Sequence, residues 1–122
     1  MKNAVKDIVG VQFRNMATIG GSIWGRFGFS DVLTVFLAMD SYVELYKGGI
    51  IPLKEYAKMP YDRDILVRLI VKKEKAAFDY QSVRNSQTDF PVLTCAAAKT
   101  EQDTGFHRAR PGKAVLFELA DA

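Results

Sequence analysis

The chain has 122 residues and a mass of 13.6 kDa, which suits one small domain able to bury roughly two thirds of its unfolded surface. Its 48% apolar and 25% charged content excludes wholesale disorder, and a net charge of +3, whose densest basic group (Lys72, Lys73, Lys75) is interrupted by Glu74, argues against nucleic acid. A lone Cys95 excludes an internal disulfide, "VLTVFLAM" is far short of a membrane span, and "MKNAVKDIVG" lacks a continuous apolar leader, so the expectation is a soluble cytoplasmic protein.

Ala4, Val5, Ile8 and Val9 fall on one helical face, so "NAVKDIVG" reads as a short amphipathic helix closed by Gly10. A glycine-rich stretch, "RNMATIGGSIWGRFGFSD", follows. "SDVLTVFLAMD" then starts with Ser30 as N-cap and is apolar on most sides, which marks a short buried helix or strand. "SYVELYKGGIIPL" gives two strand-like runs around Lys47, Gly48 and Gly49, a hairpin signal, and "LKEYAKM" adds a helical turn or two before Pro60. "DILVRLIVKK" and "AAFDYQSVRN" are strand candidates joined by a charged turn around Glu74 and Lys75, able to pair as an antiparallel hairpin. "FPVLTCAAA" reads as a buried strand with Pro91 near its start, and "FHRARPGKAVLFELADA" as a short strand, a Pro-Gly turn and a terminal helix. Hairpins outnumber long crossovers, so the predicted class is α+β.

"TIGG" offers a small hydroxyl, an apolar anchor and two glycines whose missing Cβ lets backbone amides approach an anion such as pyrophosphate. It is neither a P-loop, lacking Gly-Lys-Ser/Thr, nor G-x-G-x-x-G. On the glycine pair alone, a plain Gly-Gly turn is the simpler reading.

The longer string outweighs that. "RNMATIGGSI", then a Ser-Asp pair whose aspartate lies nine residues after Ser22, then "IPLKEY", "DILVRLIV", "YQSVRNSQTDFPVL" and "RARPGKAV" closely resemble the flavin subunit or domain of the molybdenum hydroxylases. Xanthine dehydrogenase and the medium subunit of carbon monoxide dehydrogenase belong to that family. The resemblance implies the second subdomain of the flavin module, an antiparallel sheet with flanking helices, over residues 1–75, and part of the C-terminal α+β subdomain over 76–122. No Ala-Gly-Gly-rich first flavin loop precedes "TIGG", so the resemblance also implies a flavin subunit truncated at both ends or split.

By the same resemblance, Thr18, Ile19, Gly20, Gly21 and Ser22 form the second flavin loop, facing the pyrophosphate of FAD. Asp31 accepts from ribose or adenosine hydroxyls, with helix capping beside Ser30 as a compatible role. Leu66 is matched to an apolar residue beside the flavin, or is simply core. Arg14 and Asn15 are expected to hold the loop through backbone carbonyls. Gln81 stands where some members carry a lysine near the cofactor, which removes a cation. For Arg84 and Asp89 a surface or strand-end salt bridge is the safer reading, for Trp24, Phe27 and Phe29 a cluster that pins the loop, and for Cys95 a small buried side chain. His107 has no ligand-spaced companions, so neither a metal site nor a catalytic residue is assigned.

The resemblance implies an electron-transfer role with FAD as cofactor: electrons arrive from iron–sulfur clusters and leave to an acceptor such as NAD, as in xanthine dehydrogenase. Expected partners are a molybdopterin-binding large subunit, an iron–sulfur small subunit and a chain supplying the first flavin loop, in an oligomer without nucleic acid or membrane; alone, the chain is expected to be inactive. The rival reading is a non-catalytic interaction subunit that keeps the fold without FAD.

Overall fold

The computed structural model describes residues 2–6, 8, 10–100, 104–110 and 113–118, with backbone only for Asn3 and for the last two strands. The elements run α1 (Lys2–Val5), α2 (Val11–Met16), α3 (Ile19–Gly25), α4 (Asp31–Ala38), β1 (Ser41–Leu45), β2 (Gly49–Pro52), α5 (Leu53–Tyr56), β3 (Leu66–Val71), β4 (Ala77–Val83), β5 (Leu93–Lys99), β6 (Thr104–Arg110) and β7 (Lys113–Glu118). The fold is α+β, as expected.

Capping explains the two helices that matter most. A helix leaves its first amides without internal acceptors, and a Ser or Thr just ahead of it supplies one. The Thr18 hydroxyl accepts from the Gly21 amide at 3.0 Å, and that of Ser30 from Leu33 at 3.1 Å. The segment read as a loop, "TIGG", is therefore the opening turn of α3, which ends where Arg26 turns left-handed at φ 52°. The apolar run after Ser30 resolves as helix rather than strand.

Two antiparallel sheets follow. In the first, of order β2-β1-β3, the β1–β2 hairpin pairs Tyr42 with Pro52 and Leu45 with Gly49, whose φ of 70° a glycine takes without strain. Asp64 secures the turn, its two carboxylate oxygens accepting from the amides of Lys47 (2.9 Å) and Gly48 (2.8 Å). In the second sheet, β4-β5-β6-β7, each strand pairs with the next in sequence.

Helix α4 serves both sheets. Leu33, Phe36 and Leu37 join Ile23, Val43, Leu45, Leu53 and Tyr56 in the larger core, while Val35 packs with Ala4, Tyr80 and Ala96 in a smaller one. Fully burying a side chain such as Leu33 or Val35 is worth about 1.5–3 kcal/mol, so α4 contributes strongly to the stability of the chain. A buried contact of 2.8 Å between the hydroxyls of Thr34 and Thr94 ties α4 to β5.

Four expectations are corrected. β3 and β4 do not form a hairpin: β3 pairs with β1, burying Val43 and Leu45 of β1 under the first core, and the exposed stretch 72–76 carries the chain across to the second sheet. The predicted terminal helix is strand β7, paired along its length with β6, so ladder pairing overrides the local helical pattern; residues 111–112 and 119–122 lie outside the described residues. The first helix ends at Val5 rather than at Gly10; Ala4 is buried, Val5 and Ile8 are half-buried, and Val9 lies outside the described residues. Pro91 is buried just ahead of β5, and Cys95 within that strand is half-buried rather than fully buried. No helix among the described residues is long and apolar enough to cross a membrane.

Candidate functional site

The first turns of α3 and α4 flank a cleft of about 680 Å³, bordered by Thr18, Gly21 and Ser22 on one side and by Ser30, Asp31 and Arg84 on the other. Phe13, Phe27, Phe29, Phe90 and Pro91 complete a largely apolar wall. A second cleft of about 380 Å³ lies on the far side of the glycine turn, lined by Gly20, Gly21, Trp24, Asp64, Ile65 and Leu66. Gly21 borders both.

The structure thus brings Thr18, Gly21, Ser22 and Asp31 together in the larger cleft and Gly20, Gly21 and Leu66 in the smaller. Ile19 is 48% exposed and borders neither. The two glycines differ. A Cβ on Gly21 would come within 3.0 Å of the capping Thr18 hydroxyl, so the fold itself asks for glycine there. A Cβ on Gly20 would meet nothing within 4 Å, and its φ is not positive, so nothing inside the protein demands a glycine. The Ile19 and Gly20 amides, at the open end of α3, have no acceptor within the helix. An exposed glycine beside unpaired amides suits close approach by an anionic group.

Asp31, on the first turn of α4, is 7% exposed and accepts a hydrogen bond at each carboxylate oxygen. Arg84 Nη2 donates to Asp31 Oδ2 at 2.6 Å, and the Tyr80 hydroxyl donates to Oδ1. The ion pair is interior, with side chains 9% and 7% exposed, so removing one partner leaves an uncompensated buried charge at a cost of about 3–5 kcal/mol. Of the two alternatives expected for Arg84, the strand-end salt bridge holds, since it directly follows β4, but the pair is interior rather than on the surface; Arg84 reaches Asp89 only through that residue's carbonyl, at 3.2 Å from Nε. Burial, reinforced by the hydrogen bond to the Asp31 carboxylate, holds the Tyr80 phenol well above its ordinary pKa, so it stays a donor at neutral pH.

Strand geometry explains the partners. Side chains alternate faces along a strand, so Phe78, Tyr80, Ser82 and Arg84 share the inward side, and Asp79, Gln81 and Val83 face solvent. Gln81 is exposed accordingly, with Nε2 3.5 Å from Asp79 Oδ2, and borders neither cleft. That alternation is the signal that could have pointed to Tyr80, a residue the sequence reading passed over.

The aromatic residues divide. Phe27 and Phe29 stack at 5.1 Å and Phe29 meets Phe90 at 4.5 Å beside the larger cleft, whereas Trp24 pairs with Tyr61 at 5.4 Å. The single pinning cluster expected for Trp24, Phe27 and Phe29 is therefore split into two groups, Phe27–Phe29–Phe90 and Trp24–Tyr61. The pinning itself falls to Arg26, which donates to the carbonyls of Met59 (2.9 Å) and Pro60 (2.8 Å) and to the Tyr56 hydroxyl (2.9 Å), with its guanidinium 4.1 Å from the centre of the Tyr56 ring. Its acceptors lie 30 or more residues away, and no sequence pattern marks them. Arg14 does bond backbone carbonyls, but those of Lys6 (3.3 Å) and Ile8 (2.9 Å), so it anchors the preceding segment rather than the glycine turn. Among the described residues no His, Cys, Asp and Glu group could hold a metal ion; the His107 side chain lies outside them.

Residues 1–73 match the family described as the FAD-binding domain in molybdopterin dehydrogenase. The chain belongs to that family. The match spans both glycines, Asp31 and Leu66, whereas Tyr80 and Arg84 lie beyond it. The chain is also 30% identical over 103 residues to the uncharacterized protein YgfM of Escherichia coli K12, covering 84% of this chain and 39% of that protein. Among solved structures, carbon monoxide dehydrogenase from Hydrogenophaga pseudoflava lacking the Mo-pyranopterin moiety of its cofactor superposes with a TM-score of 0.74 at 19% identity, over 93% of this chain and 45% of that one. Quinoline 2-oxidoreductase from Pseudomonas putida 86 gives 0.77 at 12% identity with the same coverage. These likenesses show the fold. The chain spans less than half the length of each of these proteins.

FAD is the cofactor of the FAD-binding family, and the donor set here fits it. Open amides beside Gly20 suit a pyrophosphate, a buried carboxylate suits a ribose diol, and apolar surface on either side suits two flat rings.

Proposed function

We propose that this chain is part of the FAD-binding electron-transfer component of a xanthine dehydrogenase-like molybdenum hydroxylase. The backbone from Thr18 through Ile19, Gly20 and Gly21 to Ser22 faces the pyrophosphate, Asp31 accepts from the adenosine ribose, and Leu66 borders the flavin. The observation that carries this reading is Gly20: an exposed glycine that the fold itself does not require, at the open end of α3, bordering the smaller cleft beside Gly21, which borders both. When bound, FAD supplies reversible electron transfer, between iron–sulfur clusters and an acceptor such as NAD. The protein's part is to hold the cofactor, exclude water with the phenylalanine wall, and hold Asp31 in place against Arg84.

The molybdopterin and iron–sulfur subunits then belong to partner chains, and the assembly is cytoplasmic. The functional division falls near residue 75, supported by the family match ending at residue 73 and by the change of sheet across 72–76. In isolation the chain is inactive. Purifying it with the chains that accompany it and recording the visible spectrum tests the proposal: flavin absorbance, or its acquisition on adding FAD, supports it, and protein that stays colourless overturns it.

A second reading, an interaction subunit without FAD, is favoured by α2. No residue of that helix is buried, and Val11, Phe13 and Met16 are 63%, 62% and 86% exposed. Such a face suits a partner chain.

A further inference from the structure

Arg84 makes an ion pair with Asp31 across two elements, and each of its three nitrogens has a different partner. Nη2 donates to Asp31 on α4, Nη1 to the Ser82 hydroxyl on β4, and Nε to the Asp89 carbonyl in the loop that leads on to Phe90 and Pro91. A planar guanidinium presents donors in fixed directions, so these three bonds fix the relative placement of the helix start, the strand and the loop. Lysine, a single point of charge, cannot reproduce that fork.

The geometry has a consequence for Asp31. Each carboxylate oxygen has two lone-pair directions. Tyr80 occupies one on Oδ1 and Arg84 one on Oδ2, from the β4 side, while the residue also borders the larger cleft. These two donors leave acceptor capacity on both oxygens, and a carboxylate with both oxygens able to accept suits the two hydroxyls of a vicinal diol. Without Arg84, a carboxylate this buried would lose its charged partner and the bond that fixes its orientation.

We propose that Arg84, supported by Tyr80, is a positioning residue that sets Asp31 for the ribose diol of a dinucleotide and thereby makes the site prefer FAD over FMN. This rests on the flavin reading and adds to it a residue beyond the segment that matches the family. Arg84 acts twice on the adenosine half of the ligand, through the charge and orientation of Asp31 and through the Asp89 carbonyl that holds the Phe90 wall.

Equilibrium titration of the full chain, purified with its accompanying chains, against FAD and against FMN, which lacks adenosine, tests this. Arg84→Met is expected to raise the Kd for FAD about 10-fold or more while changing that for FMN far less, a magnitude fitting the loss of one charged hydrogen bond. Arg84→Lys recovers part of the FAD-to-FMN ratio, and Tyr80→Phe lowers it less than Arg84→Met does. Weakening of FAD and FMN by the same factor would show that Arg84 only supports the fold and overturns the proposal. So does an unchanged Kd for FAD in Arg84→Met while Asp31→Asn weakens it, an outcome that leaves the flavin reading standing. Protein that binds neither flavin removes the flavin reading and this proposal together. Where Arg84→Met does not fold, Arg84→Lys and Tyr80→Phe carry the same comparison, and an unaltered ratio in both overturns it.

Discussion

The hydroxyls of Thr34 and Thr94 lie 2.8 Å apart in the interior, joining α4 to the second sheet, and their proton arrangement is set by a third group. Thr34 also donates to the Ser30 carbonyl at 3.0 Å. Having one proton to give, it accepts from Thr94.

The pair is therefore unequal. Thr34→Val leaves the Thr94 hydroxyl, 1% exposed, without an acceptor and is expected to cost about 1–3 kcal/mol. Thr94→Val removes a donor from a Thr34 that keeps its bond to Ser30, and costs less, about 0.5–1.5 kcal/mol. Urea denaturation of both variants measures the difference; equal losses would refute the assigned direction.

Gly20 and Gly21 separate stability from binding. Gly20→Ala adds a methyl to open space in a helix and is expected to leave stability unchanged or raise it by about 0.5–1 kcal/mol, while weakening FAD binding. Gly21→Ala crowds the capping hydroxyl of Thr18 and is expected to lower stability. Thermal melts paired with flavin titrations check both.

The Tyr80 phenol gives a pH signature. Its pKa is raised on folding, so the folded state keeps a proton that the unfolded chain releases near its ordinary value of 10.0. The stability it contributes is complete below about pH 10 and declines as pH rises beyond. Lys72, also raised by its hydrogen bonds to Asp40 and Tyr42, weakens in a similar range. The difference between the parent and Tyr80→Phe in alkaline unfolding isolates the tyrosine: the parent should lose stability more steeply above pH 10.

Asp64 works in the other direction. Its carboxyl is held below the ordinary value of 3.8, chiefly by the amide of Lys47, with those of Ile65 and Gly48 adding to it. The turn is secured above that pH and loosens as pH falls through the lower, folded value. The protection of the Lys47 and Gly48 amides against hydrogen exchange, taken relative to the intrinsic rate at each pH, should fall on acidification, and Asp64→Ala should show the low protection already at pH 5.

Much of this was legible in the sequence where local chemistry decides. Ser30 marked the start of α4, and Lys47, Gly48 and Gly49 marked the hairpin, because caps and tight turns depend on a few adjacent residues. The glycine motif and Asp31 were found as site candidates through resemblance. Strand partners were not legible: β3 chose β1 and β7 formed beside β6 because pairing is settled by which apolar faces meet, a long-range matter. The same limit hid the Arg84–Asp31 pair, whose members are 53 positions apart, and the hold of Arg26 on Met59 and Pro60. Only Tyr80 left a local trace, in the alternation of β4.

The double duty of α4 bears on how the chain comes apart. With Leu33, Phe36 and Leu37 committed to one core and Val35 to the other, neither sheet can lose its cover without stripping the same helix from its neighbour. The exposed stretch 72–76 can be nicked by a protease, yet the two pieces should remain associated and melt in one transition. A border drawn along the sequence here is not a border in cooperativity.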